Sequence, residues 1–301
     1  MSNFIKALYK KYFITRMWQA NNNLFFDIKA DKLRKHTMNS DESGISNQLI
    51  LDKELIVTLT TYGKRIYDVD VVVESIMQNT IKPNRIVLWL ATELKGKALP
   101  ITLRNLQKRG LEIYYTSDIK SYKKLIPTLI KYPNSYYITI DDDVIYDFDL
   151  IENLVNAYKE SPGYIYANTV AKMRLNSRNK LLPYHKWPMF GGSSVPSSTN
   201  FAIGVGGVLY PSGCFCKDVI NEEAFMRLAP NGDDIWFYAM ARLNGYKVAK
   251  AFSRYENSDC ILSNYRVQDI ALFNKNLYKR ENDTQIKAVF DEYDIYRLIK
   301  D

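Results

Sequence analysis

Residues 136–143 read Tyr136-Tyr137-Ile138-Thr139-Ile140-Asp141-Asp142-Asp143, an apolar, β-branched and aromatic run that stops on three consecutive carboxylates. The run has the length and composition of a buried strand. Its aspartates fall where that strand would leave a sheet. Three adjacent carboxylates repel one another unless a cation neutralises them. One of them could cap a following helix while the others are solvated, but capping needs only a single acid. Oxygen ligands without a nearby His or Cys suit a hard ion, Mg2+ or Mn2+, of the kind that is shared with a diphosphate.

Working outward, apolar runs with strand and helix periodicity alternate along the chain. Leu55 to Thr60 reads as a strand, and Asp68 to Asn79 as a helix with Val69, Val72, Val73, Ile76 and Met77 on one side. Arg85 to Leu90 is the next strand, Pro100 to Arg109 a helix stopped by Gly110, and Leu111 to Tyr115 a third strand. A helix over Ile126 to Tyr132 precedes the Asp-terminated strand. Ile151, Leu154, Val155 and Tyr158 mark another helix before a strand at Tyr164 to Asn168. This spacing predicts an α/β fold, a mostly parallel, Rossmann-like sheet flanked by helices on both faces. Such sheets bind ligands at the carboxyl ends of their strands. Thr60-Thr61-Tyr62-Gly63-Lys64-Arg65, Thr116-Ser117-Asp118 and Asp141-Asp142-Asp143 then share one rim.

A second acidic pair, Asp233-Asp234, stands between Gly232 and the apolar pattern Ile235, Trp236, Tyr238, Ala239, Met240 and Leu243, so it opens a helix. Acids there are stabilised by the dipole and by orphan amides. One acid would suffice for that, which leaves the other, kept ionised by the dipole, to serve as a general base. Between the acidic clusters the stretch from Trp187 to Pro211 is free of charged residues, and its centre, Phe201 to Tyr210, carries Gly204, Gly206 and Gly207. Glycines within a strand mark a bend or the close approach of a ligand or another backbone. They form no dinucleotide fingerprint, and no phosphate loop is present. Ser121-Tyr122-Lys123-Lys124 near Asp118, and Arg65 after the first strand, offer hydroxyls and cations either to a diphosphate or simply to solvent. His36 falls in a polar linker and His185 in a loop.

The 301 residues are 47% hydrophobic and 25% charged, the composition of a folded protein, which excludes disordered and collagen-like readings. Cys214, Cys216 and Cys260 are an odd number beside two histidines, so neither a disulfide framework nor a zinc site is expected, and a reducing cytoplasm fits. The uncharged run from Trp187 to Cys216 is too rich in Gly and Pro for a membrane span. The net charge of +8 is concentrated in residues 1–35, where eight basic residues face only Asp27 and Asp31. Within that segment Phe4, Ile5, Leu8, Tyr9, Tyr12 and Phe13 recur at helical spacing with lysines between them. This suits either an anionic membrane surface, with the protein peripheral to it, or packing on the protein's own core. No nucleic-acid motif accompanies the charge, so nucleic acid is not an expected partner. The expected organisation is a basic segment and linker over 1–53, a catalytic domain over 54–260 and a helical extension over 261–301.

Together Ile56-Val57-Thr58-Leu59-Thr60-Thr61-Tyr62, Lys82-Pro83-Asn84-Arg85-Ile86-Val87-Leu88-Trp89, the strand ending in Asp141-Asp142-Asp143, and Gly232-Asp233-Asp234-Ile235-Trp236 resemble bacterial nucleotide-sugar glycosyltransferases of the GT-A fold, of the lipopolysaccharide or capsule type. The likeness covers about residues 54 to 252. It implies a metal-dependent, inverting transfer of a sugar from a nucleoside diphosphate, most simply UDP, to a hydroxyl of a glycan or lipid-linked acceptor. By this resemblance Asp143 ligates Mn2+ or Mg2+ and Asp141 lies nearer the ribose. Asp234 is the base, with Asp233 its competitor. Thr60, Thr61, Tyr62 and Asp118 border the nucleoside, while Arg65, Lys123, Lys124, Asp142, Gly206 and Gly207 complete the donor side. Trp187 and Trp236 are expected to face the acceptor. The late histidine ligand of many relatives is missing, since no histidine follows His185. A glycoside hydrolase with two carboxylates and a non-catalytic carbohydrate-binding protein at a membrane are the competing readings.

Overall fold

Strands form where apolar, β-branched runs predict them. The computed structural model describes residues 3–251, 261–270 and 281–299. Strands β1 (Leu55–Thr60), β2 (Arg85–Ala91), β3 (Leu111–Thr116) and β4 (Tyr136–Thr139) run parallel in the order β3-β2-β1-β4. Two short strands follow β4 closely in sequence, β5 (Val144–Tyr146) and β6 (Ile165–Ala167), and then come β7 (Val170–Lys172), β8 (Asn200–Ala202) and β9 (Val208–Tyr210). The main sheet is completed by β9, antiparallel to β4 and β6, and by β10 (Val248–Lys250), parallel to β6, giving seven strands in the order β10-β6-β9-β4-β1-β2-β3. This is the mostly parallel α/β architecture that the alternating pattern predicts.

Alternate residues of each strand point to opposite faces, and both faces are covered. Ile56, Val87 and Tyr137 join helices α4 (Ile126–Lys131), α6 (Glu222–Leu228), α7 (Asp233–Leu243) and the C-terminal helix Glu281–Glu292 in one core. Leu55, Val57, Leu59, Ile86, Leu88 and Ile138 join α1 (Asn3–Asn39), α2 (Val69–Met77), α3 (Ile101–Lys108) and α5 (Leu150–Glu160) in the other. Burial on both sides explains why these strands read as continuous apolar runs instead of alternating ones. β1 has its successor β2 on one side and β4 on the other. The winding therefore reverses between β1 and β4, and a crevice opens at their carboxyl ends.

Several expectations are corrected. The glycine-bearing centre of the uncharged segment, Phe201 to Tyr210, is not one strand: β8 pairs with β7 in a separate two-stranded sheet, a 3-10 turn over Gly204–Gly206 intervenes, and only β9 joins the main sheet. Residues 36–39 continue helix α1 and are no linker, and the His36 ring lies 2.8 Å from Glu74. The segment after residue 260 does not begin as a helical extension; β11 (Ile261–Ser263) pairs antiparallel with β5, directly beyond the Asp triplet. Cys260 and the side chains of Phe4, Ile5, Leu8, Tyr9, Tyr12 and Phe13 lie outside the described residues. Among those described, no helix is long and apolar enough to cross a membrane.

Candidate active site

A cavity of about 920 Å3 lies at the carboxyl ends of β1 and β4. The three polar rim segments converge on it: Thr60, Tyr62 and Arg65 follow β1, Asp118 follows β3, and Asp141, Asp142 and Asp143 follow β4. Asp233 and Asp234 reach the same cavity from the first turn of α7, so the two acidic clusters, ninety residues apart in sequence, share one space.

What joins them is Lys124. It ends a 3-10 turn, Lys120–Lys124, that is pinned on either side. The Tyr122 hydroxyl donates to the Ala229 carbonyl at 2.6 Å and its ring stacks on Phe225, while the Thr58 hydroxyl donates to the Lys124 carbonyl at 2.7 Å. The turn thus delivers the Lys124 ammonium under the start of α7, 2.7 Å from Asp233, 3.3 Å from Asp141 and 4.0 Å from Asp234. Burial alone would lower its pKa, yet the three carboxylates outweigh burial and push it well above the ordinary value. Lys124 stays charged.

Arg65 plays the matching part at the other end. It pairs with Asp142 at 2.7 Å and Asp143 at 3.0 Å, donates to the Val267 carbonyl at 3.3 Å, and sits over the Tyr62 ring. Burial raises the pKa of Asp142, and Arg65 opposes that rise. Lys123, nearly buried, is tied to the exposed Asp118.

The two aspartates of α7 are held differently, and neither caps the helix. The N-cap is Gly232, without a side-chain cap bond. Asp233 accepts from the Ser121 hydroxyl at 3.0 Å besides pairing with Lys124, and its side chain is 12% exposed. Asp234 accepts the Gly204 amide at 3.0 Å and is 26% exposed, so it is the more open of the two toward the cavity. Desolvation pushes its pKa up to about 7, Asp233 adds to the rise, and Lys124 and the Gly204 amide only partly offset it.

Gly204 explains itself here. A Cβ at this position would stand 2.8 Å from the Lys124 ammonium and 3.0 Å from an Asp234 oxygen. The glycine marks a close approach, as its place in an uncharged run allows, but the approaching groups are the protein's own.

Five of the expected site residues do not line the cavity. Trp236 is fully buried and donates to the Val219 carbonyl, because it follows Asp234 by two positions and so points to the far side of α7. Trp187 is buried against Tyr184 and Phe201 and donates to the Leu182 carbonyl. Neither tryptophan lines the cavity. Gly206 is packed against Thr169, and Gly207 turns the chain into β9 with φ of 81°. Thr61 is fully buried below the rim. His185 is exposed in a turn away from the cavity.

The sequence reading missed the wall opposite. Tyr184, Met189, Phe190 and Phe201 form an apolar side, and Ser263 at the end of β11 and Tyr265 just after it also line the cavity. No periodic signal marks either group. Residues 261–267 acquire their place through tertiary contacts, by pairing with β5, by the 2.7 Å bond from the Asn264 amide to the Asp143 carbonyl, and by contacts with Asn22 and Arg65.

Asp141 and Asp143 present hard oxygen donors to the cavity, whereas no group of three or more His, Cys, Asp or Glu is arranged as a metal cage among the described residues. Two carboxylates fit a Mg2+ or Mn2+ ion that keeps water and shares phosphate oxygens of a ligand, and they do not fit a resident all-protein site.

No protein-family model and no curated relative matches the chain. Several solved structures are distantly similar to it. A mannosyltransferase, PcManGT from Pyrobaculum calidifontis in complex with GDP-Man and Mn2+, is 12% identical with a TM-score of 0.41, over 79% of this chain and 64% of that one. A cytidylyltransferase from Leptospira borgpetersenii is 10% identical with a TM-score of 0.44, over 82% of this chain and 96% of that one. S. aureus TarS 1-349 is 12% identical with a TM-score of 0.43, over 67% of this chain and 58% of that one. At such distances the residues of the cavity, and not the likeness, decide what chemistry it offers.

Proposed function

We propose that the chain is a glycosyltransferase that moves a sugar from a nucleoside diphosphate donor, a UDP-sugar in the simplest case, to a hydroxyl of a glycan or lipid-linked acceptor in cell-surface polysaccharide synthesis. One observation carries this reading: a carboxylate poised near neutrality, Asp234, shares the buried Lys124 with Asp141 of the strand-end triplet, so a base and a diphosphate-sized acidic rim meet across one ammonium group.

In the proposed mechanism Asp234 removes the proton from the acceptor hydroxyl. The acceptor oxygen forms its bond to the anomeric carbon as the bond from that carbon to the diphosphate oxygen breaks, and the electron pair leaves with the nucleoside diphosphate. Displacement from the far side inverts the anomeric centre. Asp233 is held by Ser121 and Lys124 and serves to position Lys124 and to keep the Asp234 pKa high. Lys124 and Lys123 line the cavity and offset negative charge as it grows on the departing diphosphate. A divalent ion held by Asp143 and Asp141, when bound, would neutralise the diphosphate as a Lewis acid. Tyr62 and Asp118 border the nucleoside end, and Tyr184, Met189 and Phe190 the apolar end suited to an acceptor's ring or chain.

The test is a panel of nucleotide sugars assayed for release of nucleoside diphosphate, with and without Mn2+, alongside Asp234→Asn. Donor-dependent release that falls by about 10²- to 10⁴-fold in a folded Asp234→Asn variant is the expected result. Pyrophosphate released from a nucleoside triphosphate would reassign the cavity to nucleotidyl transfer, and sugar hydrolysis without nucleotide would reassign it to a hydrolase.

A further inference from the structure

Helix α1 has two apolar faces along its described residues, one buried and the other largely exposed, where only Trp18 meets another ring, that of Tyr265. Phe26, Ala30, Leu33 and Thr37 are buried against the sheet-covering helices. On the opposite side Met17, Trp18, Leu24, Phe25 and Ile28 are 52%, 52%, 57%, 63% and 60% exposed. Met17 and Leu24, and likewise Trp18 and Phe25, are separated by seven residues, and Ile28 follows Leu24 by four, so the five side chains form one stripe along the helix. Large exposed apolar patches mark surfaces that meet something.

Charge identifies the partner. Lys32 stands four residues after Ile28, Lys35 seven after Ile28 and Lys29 four after Phe25, so cations border the same face; Lys35 pairs with Asp31 and Lys29 with Asp147, both in partly exposed pairs of the kind that contribute little in water. The segment of residues 1–35 carries eight basic residues, and its two acids are already engaged, Asp27 with Arg266 and Asp31 with Lys35. An aromatic and aliphatic stripe edged by lysines, whose long stems let the charges reach outward, is the surface an anionic bilayer takes up: the rings enter the headgroup boundary and the ammonium groups meet lipid phosphates.

We propose that α1 docks this protein, by Met17, Trp18, Leu24, Phe25 and Ile28, on an anionic lipid surface. The docked helix shares a wall with the cavity. The Asn22 side chain donates to the Ser263 carbonyl at 2.7 Å and the Trp18 ring meets the Tyr265 ring edge-on at 5.3 Å, and both Ser263 and Tyr265 line the cavity. Docking would therefore bring the cavity rim to the bilayer. The proposal concerns α1 alone and stands whatever the cavity transfers.

The protein carries its own reporter. Trp89, Trp187 and Trp236 are buried and Trp18 is the exposed tryptophan, so a change in tryptophan emission on adding lipid reads Trp18. The full chain is mixed with vesicles of phosphatidylcholine alone and of phosphatidylcholine and phosphatidylglycerol in equal parts, and both sedimentation and emission are followed. Expected are sedimentation and a blue shift with the anionic vesicles only, weakened by added salt, and a loss of about tenfold or more in partitioning for Phe25→Glu with Ile28→Glu. Both positions are exposed, so the variant should melt like the parent. Absence of binding to the anionic vesicles, or equal binding by the variant, overturns the proposal. So does a lipid-free dimer that the variant dissolves, which would give the stripe to a second copy.

Discussion

At Asp234 two opposing effects meet within one side chain. Desolvation pushes its carboxyl up to about 7, while Lys124 at 4.0 Å and the Gly204 amide pull the other way. If Asp234 is the base, it works only when ionised, so turnover should be low in acid, climb as pH rises through about 7, and level off above it. A pH profile of turnover checks this. Replacing Lys124 by Met removes the nearest cation, which raises the carboxyl pKa further. The ascending limb should then move to higher pH in the variant, whereas a purely structural role for Lys124 predicts a loss of turnover with the limb unmoved. The shift also has a sign for stability. Because the folded carboxyl binds its proton more tightly than the unfolded one, whose pKa is near 3.8, Asp234 costs stability progressively as pH rises from there through about 7. Asp234→Asn should accordingly melt higher than the parent at pH 8 while losing activity. Gly204→Ala, which sets a methyl group against the Lys124 ammonium and Asp234, should lower turnover at least about tenfold, since small misplacements at a reacting centre are costly.

Between elements, the most buried polar junction is Glu74 on α2. Its carboxylate is fully buried and receives the Thr37 hydroxyl of α1 at 2.7 Å, the Gln78 amide at 2.9 Å, and the guanidinium of Arg109 just beyond α3. Burial would raise the Glu74 pKa, but these donors, Arg109 first among them, hold it below its ordinary value. Three helices on one face of the sheet are thereby tied to a single carboxylate. Glu74→Ala would strand the buried Arg109 charge, and breaking a buried pair in this way costs about 3–5 kcal/mol. Denaturant unfolding should register that loss, while the pH profile of turnover, set at residues that Glu74 does not touch, stays unchanged. The pair β5–β11 is a second junction of this kind, since it holds residues that line the cavity next to the Asp triplet.

Across the whole molecule, the cavity gathers six carboxylates from three separate segments, Asp118, the Asp triplet and Asp233-Asp234, and sets Arg65, Lys120, Lys123 and Lys124 against them. A ligand that adds a diphosphate and a divalent ion together enters without a large change of net charge, whereas a bare diphosphate meets an acidic rim. UDP or GDP with Mn2+ should therefore raise the melting temperature more than either nucleotide alone. At a hundredfold excess over Kd the stabilisation is about 2.7 kcal/mol, and the difference between the two conditions is read directly in a thermal scan.

The primary sequence determined the sheet order's raw material and the chemistry at its end. Strands β1 to β4 and the helices between them were legible because both faces of each strand are buried, which leaves continuous apolar runs, and because helices covering such a sheet carry an apolar stripe. The Asp triplet, Asp233-Asp234 and Arg65 were legible as concentrated charge at element ends. Tertiary structure alone decided the rest. Which side of α7 faces the cavity separates Asp234 from Trp236, and pattern cannot choose when nearly every position of that helix is buried. Pairing in space split the glycine-bearing run between two sheets and brought residues 261–267 back over the triplet, and neither pairing leaves a periodic trace. The Asp234 pKa, too, belongs to the folded molecule, because desolvation there outweighs Lys124 and the Gly204 amide and no local sequence records how much water the surrounding chain excludes.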